Sequence, residues 1–266
     1  MDGRAKPDRH NVGINGWGRH SVSEAGSARL NEARTGFDRS AAPAILSGRR
    51  ERLHNKKSDG GGATMLASSE TKPAVPAGAT LLPRTSDQIL GPFYPMGEPA
   101  KGGDLTRVPG RPGRAKGQII RLQGRVLDRA GAPVRRGKLN IWQANTFGRY
   151  THANDDNSAP LDECFEGFAM VETDEDGRYD LRTVKPGAYP TPRGNIRPSH
   201  IHFEVFGKRE RLITQLYFAG DPHHDTDTWL QSSPNPQTIV MPIREPAAGM
   251  PADEKLVVFD IVLMHG

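Results

Sequence analysis

The sequence predicts an all-β fold: an antiparallel β-sandwich with long loops, preceded by a disordered N-terminal leader. Three observations carry that prediction. Seven alternating or β-branched runs recur between positions 118 and 264. Clusters of Gly, Pro, Asp and Asn separate them, and no amphipathic run of ten or more residues at helical spacing intervenes. Short strands of this kind bury their apolar faces by packing one sheet on another.

Taken in order, the chain opens with residues 1–64, which hold 12 Lys+Arg against 7 Asp+Glu. Their few apolar residues, such as Trp17, Leu30, Phe37, Ile45 and Leu46, are scattered. So little apolar surface cannot offset chain entropy, and disorder is expected. Arg49-Arg50 precedes no apolar stretch, so no export signal is expected, and the acidic residues argue against a mitochondrial transit peptide. Met65, directly after GGGAT, is an alternative start. Residues 65–80 read as a Pro/Ala/Ser linker, and residues 81–266 as the sandwich. Its strands are expected at QIIRLQGRVLD (118–128), KLNIWQA (138–144), EGFAMVETD (166–174), GRYDLRTV (177–184), HIHFEVFG (200–207), LITQLYF (212–218) and KLVVFDIVLM (255–264). DRAGAP at 128–133 and DEDG at 174–177 supply turns between them.

Composition narrows the function classes. The whole net charge of +5 belongs to the leader, because residues 65–266 carry 24 charges of each sign. A neutral folded part removes nucleic acid as the expected partner. The leader lowers the mean hydropathy, −0.63 over the whole chain. No apolar run reaches membrane-spanning length, and the cytoplasm is the expected compartment. Cys164 stands alone, so neither a disulfide framework nor a cysteine-rich metal site is possible within the chain.

The chemistry centres on RPSHIHFEVFG. His200 and His202 lie two apart in a strand, so both imidazoles project from one face and can grip one metal ion. A pair of merely hydrogen-bonded strand histidines is the plain alternative. Glu204 shares their face, which leaves open a cupin-like His/Glu site. Tyr150 and Tyr189 precede the pair, each at a strand end. Phenolate is a hard anionic donor, and two phenolates with two imidazoles favour ferric iron over ferrous iron or zinc.

TSDQILGPFYP, LNIWQANTFGRYTH, DEDGRYDLRTVKPGAYP, RPSHIHFEVFG and LITQLYFAGDP, collinear from about Thr85 to Asp260, together resemble the intradiol ring-cleavage dioxygenases. The likeness is greatest to the iron-bearing β subunit of the protocatechuate 3,4-dioxygenase branch. The resemblance implies a catalytic β-sandwich over 81–266 and Fe(3+) as cofactor. It implies insertion of both atoms of O2 into a catechol-type aromatic, protocatechuate first, to give a cis,cis-muconate in aromatic catabolism. Carried over by position, Tyr150, Tyr189, His200 and His202 become the ferric ligands. Tyr189 becomes the ligand that substrate displaces, Arg197 the arginine beside the site, and Gln215 a supporting glutamine. The segment YPTPRGNIRPSH departs from the branch: it is about two residues shorter and has Thr191 where a Trp is usual. That change bears on the shape of the substrate pocket. Thr191, Arg193 and Tyr94 are the candidate substrate contacts. A homo-oligomer, or a hetero-oligomer with an α-type subunit, is the expected assembly.

The remaining features have plainer readings. His223-His224 and His152 are expected in solvated or supporting positions, and Cys164 as a passive thiol. The basic run 107–117 reads as a loop facing an acidic substrate or a partner. Outside the dioxygenases, an iron-free β-sandwich carrier or interaction module keeps the same fold.

Overall fold

A computed structural model describes residues 80–100 and 102–266. The expectations for the leader and for the linker up to residue 79 fall outside that range. The strands are β1 (Ile119–Asp128), β2 (Lys138–Trp142), β3 (Phe168–Glu172), β4 (Arg178–Val184), β5 (Tyr189–Pro190) and β6 (Ile196–Arg197). Then follow β7 (His200–Phe206), β8 (Arg211–Phe218), the single helical turn α1 (Thr228–Gln231), β9 (Val240–Met241), β10 (Glu254–Val258) and β11 (Ile261–Leu263). All seven expected strands form; the two-residue strands and α1 are too short to leave a periodic signal.

β3-β2-β7-β8-β9 make one sheet. In the other, β1 is central, with β4 on one side and β10 followed by β11 on the other. β5 and β6 form a separate ribbon. The sheets are mixed rather than purely antiparallel: β10 and β11 run parallel to β1, and β9 parallel to β8. Hairpin geometry governs only strands joined by a tight turn, whereas more than a hundred residues separate β1 from β10 and permit either direction. The inward faces share one core, with Leu122, Val126 and Leu181 from the first sheet and Leu139, Ile141, Ile201, Phe203 and Val205 from the second. Phe203 reaches across to Phe259, ring centroids 5.2 Å apart.

The run KLVVFDIVLM is broken at Phe259-Asp260, and Gly124 explains why the break is tolerated. There the chain of Phe259 leaves the ladder and presses against β1. A Cβ on Gly124 would lie 1.9 Å from the Phe259 carbonyl oxygen. Tyr179, the cross-strand neighbour of Gly124, donates its hydroxyl to that oxygen at 2.7 Å. Asp260 then accepts from the Arg125 N–H at 2.8 Å, so the backbone groups freed by the break are partnered.

β7 is buried on both faces along almost its whole length. Ile201, Phe203 and Val205 enter the core. The other face is covered by residues 88–94, stitched down one contact at a time. Gln215 Nε2 donates to the Ile89 carbonyl at 2.8 Å, the Tyr217 hydroxyl to Gln88 Oε1 at 3.1 Å, and the Tyr94 hydroxyl to Glu204 Oε2 at 2.6 Å.

Gly124→Ala should lower the unfolding free energy by about 3 kcal/mol or more, because backbone rather than a flexible side chain blocks the new methyl. Urea melts of the two proteins check this; a loss below about 1 kcal/mol would contradict the close approach.

Candidate metal centre

The period of two in β7 and the register of its neighbours assemble the site. His202 lies opposite Gln215 of β8 and Trp142 of β2, and His200 lies opposite Tyr217. The β5–β6 ribbon makes Tyr189 and Arg197 cross-strand partners. Tyr150 follows β2 through the TFGR turn, and its N–H donates to Asp155 Oδ2 at 2.6 Å.

Four donor atoms converge. Tyr189 Oη lies 3.4 Å from His200 Nε2, which lies 3.2 Å from His202 Nε2, which lies 3.1 Å from Tyr150 Oη. The His200 Nδ1–H donates to the Pro198 carbonyl at 2.6 Å, and this tautomer leaves the Nε2 lone pair facing the cluster. His202 is fixed by stacking on Trp142, the rings 4.8 Å apart and 8° from parallel. Its Nδ1 has no hydrogen-bond partner among the described residues.

Burial sets the protonation states. Burial, then Arg197, hold His202 down to about 3. Burial, then Arg197 and His202, hold His200 well below the usual imidazole range. Both rings are therefore neutral, the form that ligates a metal. Burial pushes the Tyr150 phenol well up, with Tyr189 adding to it, and burial raises Tyr189 despite Arg197 beside it. Two neutral nitrogen donors and two oxygen donors that become anionic on a cation suit a hard, highly charged ion.

Beside this cluster, Arg197 is buried, and three hydrogen bonds hold its guanidinium. Its Nη1 donates to Asp227 Oδ2 at 2.7 Å, and its Nη2 donates to Gln215 Oε1 at 2.6 Å and to the Tyr217 hydroxyl at 3.2 Å. A cleft of about 190 Å³ opens against Tyr150, walled by Phe93, Trp142, His152, Glu166 and Phe168.

Glu204 does not join the cluster. Burial would raise its carboxyl, but hydrogen bonds from Tyr94, Asn140 and Arg211 hold it below its ordinary value. Asn140 donates to Oε2 at 2.9 Å and Arg211 Nε to Oε1 at 2.7 Å. No group of three or more His, Cys, Asp or Glu placed to share a metal ion occurs among the described residues, so the cupin-like alternative does not assemble. The same Glu204 contact occupies the Tyr94 hydroxyl. Thr191 closes the β5–β6 turn, with its N–H donating to Asn195 O at 2.7 Å, and Arg193 is exposed on that turn. None of Tyr94, Thr191 and Arg193 lines the cleft. The basic run 107–117 is a loop as expected, but Arg111 pairs with Glu163, and Arg114 with Asp253 and Glu254. Two of its four cations are thus ion-paired within the chain. Cys164 donates only to the Pro112 carbonyl.

A sequence family described as Dioxygenase matches residues 89–265. The protocatechuate 3,4-dioxygenase beta chain of Burkholderia cepacia is 47% identical over 137 residues, covering 49% of this chain and 57% of that one. The catechol 1,2-dioxygenase of Acinetobacter baylyi is 34% identical over 155 residues, covering 53% and 47%. The chain belongs to the intradiol dioxygenase family. It spans about half the length of these curated relatives. Among solved structures, the dioxygenase domain of a dioxygenase–carbohydrate-binding fusion from Streptomyces sp. SirexAA-E superposes with a TM-score of 0.54 at 28% identity. That alignment covers 69% of this chain and all of that domain.

Within this intradiol dioxygenase chain, several site residues escape sequence reading. Tyr217 was legible in principle, two positions after Gln215 and so on the same face. Trp142 and Phe93 gain meaning only from the sheet register and the covering segment. Asp227, inside the polar run GDPHHDTD, offers no local signal at all.

Gly91 has φ +77°, and a Cβ there would lie 3.0 Å from His202 Cε1. Gly91→Ala should therefore cost roughly 1–2 kcal/mol of stability through left-handed backbone strain and displaced packing. Thermal melts check it; an unchanged Tm would contradict the tight seat of His202 under the covering segment.

Proposed function

We propose that the protein is a ferric-iron intradiol dioxygenase that inserts both atoms of O2 into a catechol-type aromatic, protocatechuate foremost, to give a cis,cis-muconate. The observation that carries this reading is the convergence of Tyr189 Oη, His200 Nε2, His202 Nε2 and Tyr150 Oη within 3.1–3.4 Å of one another in sequence around the cluster. Those four side chains would hold the iron. A bound ferric ion would supply the Lewis acidity and electron-accepting capacity that make a chelated catechol reactive toward O2.

The chain's own residues supply the rest. The His200 Nδ1 bond to Pro198 keeps Nε2 free to coordinate. Tyr150, 4% exposed and anchored through Asp155, stays in place. Tyr189 is only half-buried, on a two-residue strand that can yield. Burial raises its phenol, so as a tyrosinate its Oη would be a stronger base than usual and would accept a catechol proton. Arg197, across the ribbon from Tyr189, faces negative charge developing on the ring. Gln215 supports that guanidinium rather than touching the ring. Trp142 and Phe93 give flat, water-excluding walls that suit an aromatic substrate.

Protocatechuate is supported by the B. cepacia relative, named as the beta chain of such an enzyme. Its ring carboxylate needs a cation, yet the cleft walls include Glu98 and Glu166 and neither Lys nor Arg. A second subunit would provide it. This is the role an α-type partner would play. The described residues contain no helix long and apolar enough to cross a membrane. An iron-free carrier is the rival, and the two differ in colour.

Iron-loaded protein should be burgundy from tyrosinate-to-iron charge transfer, and anaerobic protocatechuate should shift the visible band. A protein that stays colourless with iron, or a band unmoved by every catechol tried, contradicts the proposal. Tyr189→Phe should retain bound iron and lose about 10²-fold in kcat, because a proton acceptor is removed. Oxygen uptake by the variant measures this, and kcat within threefold of wild type argues against the assigned role.

A further inference from the structure

We infer that Asp227 is the positioning residue that aims Arg197 at the reaction site, an inference that rests on the role of Arg197 proposed above. The two side chains form a buried ion pair, Asp227 2% and Arg197 4% exposed. Both carboxylate oxygens are committed, each to a different element. Oδ2 accepts from Arg197 Nη1 at 2.7 Å. Oδ1 accepts from the Leu230 N–H at 2.8 Å and so caps the N-terminus of α1. The carboxylate is therefore held against rotation, and it fixes one edge of the guanidinium.

The remaining contacts define the other edge. Nη2 meets Gln215 Oε1 at 2.6 Å and Tyr217 Oη at 3.2 Å, while the Trp229 ring lies 4.5 Å over the guanidinium carbon. Gln215 and Tyr217 are neutral, and Asp227 is the single carboxylate ion-paired to Arg197 among the described residues. Earlier in the same loop, Asp225 is exposed, and Asp221 spends its two oxygens on the Ser199 and His223 N–H groups. Arg197 itself sits on β6, a strand of two residues, so its backbone offers little restraint on a long side chain. An arginine has considerable rotamer freedom to lose. The fixed carboxylate removes that freedom before substrate arrives, which is what preorganised charge stabilisation requires.

The test uses the iron-loaded full chain, with oxygen uptake on the catechol it turns over fastest and rates compared at equal iron content. Asp227→Asn keeps the capping oxygen and the side-chain volume and deletes the charge. It should lower kcat about 10- to 100-fold with KM within about threefold. In an Arg197→Gln background the same change should cost less than about twofold, because a residue acting through Arg197 has nothing left to aim. Asp227→Ser, whose hydroxyl is too short to span to Arg197, should reproduce the loss and covers the case in which the asparagine variant does not fold. A kcat for Asp227→Asn within twofold of wild type, or an equal loss in both backgrounds, overturns the inference. If Arg197→Gln itself keeps wild-type kcat, the proposed role of Arg197 falls and this inference with it. If Arg197→Gln is impaired and Asp227→Asn is not, the inference alone falls.

Discussion

Everything at the site depends on one constraint: β7 is buried on both faces, and a strand gives each face every second residue. The first face is apolar and closes the sandwich core through Ile201, Phe203 and Val205. The second presents His200, His202 and Glu204, three polar groups shut away from water. Buried polar groups must be partnered or neutralised. The surrounding architecture follows from how each of the three meets that demand.

Glu204 is satisfied by Tyr94, Asn140 and Arg211, and in being satisfied it pins the covering segment onto the sheet. His200 is half satisfied by the Pro198 carbonyl, which leaves one lone pair directed at the cluster. His202 is held by stacking on Trp142 rather than by a hydrogen bond. Two neutral imidazoles facing two phenols at hydrogen-bond range form the donor set proposed to hold the iron. One strip of strand thus does two jobs at adjacent positions: Glu204 closes the site, and the histidines give it its chemistry. Arg197 extends the same logic. A buried guanidinium so close to neutral histidines is tolerable because Asp227 balances it.

The fold was legible because its strands alternate strongly. QIIRLQGRVLD and HIHFEVFG fall within a residue or two of β1 and β7. The parallel return of the C-terminal run was not legible, since strand direction depends on long connections that leave no periodic mark. Its break at Phe259 was equally hidden, because it depends on Gly124 and Tyr179 in strands far away in sequence. At the site, His200 and His202 followed from parity, and Gln215 from its place in the LITQLYF motif. Tyr150 and Tyr189 were nameable from flanking motifs, but their approach to the histidines comes from loops and a two-residue ribbon. Glu204 illustrates the limit of parity: it shares the histidines' face, yet hydrogen bonds from three other segments turn its carboxylate away. Asp227 marks the other limit, a polar residue in a polar loop whose importance lies wholly in its tertiary partner.

The central claim is that two tyrosines and two histidines share one ferric ion. Resonance Raman spectroscopy of the iron-loaded protein, excited within its visible band, tests that most directly. Enhanced ring modes of two distinct tyrosinates are predicted, one set disappearing in Tyr150→Phe and the other in Tyr189→Phe. An iron-loaded protein without tyrosinate modes, or with modes that survive both substitutions, would contradict the account.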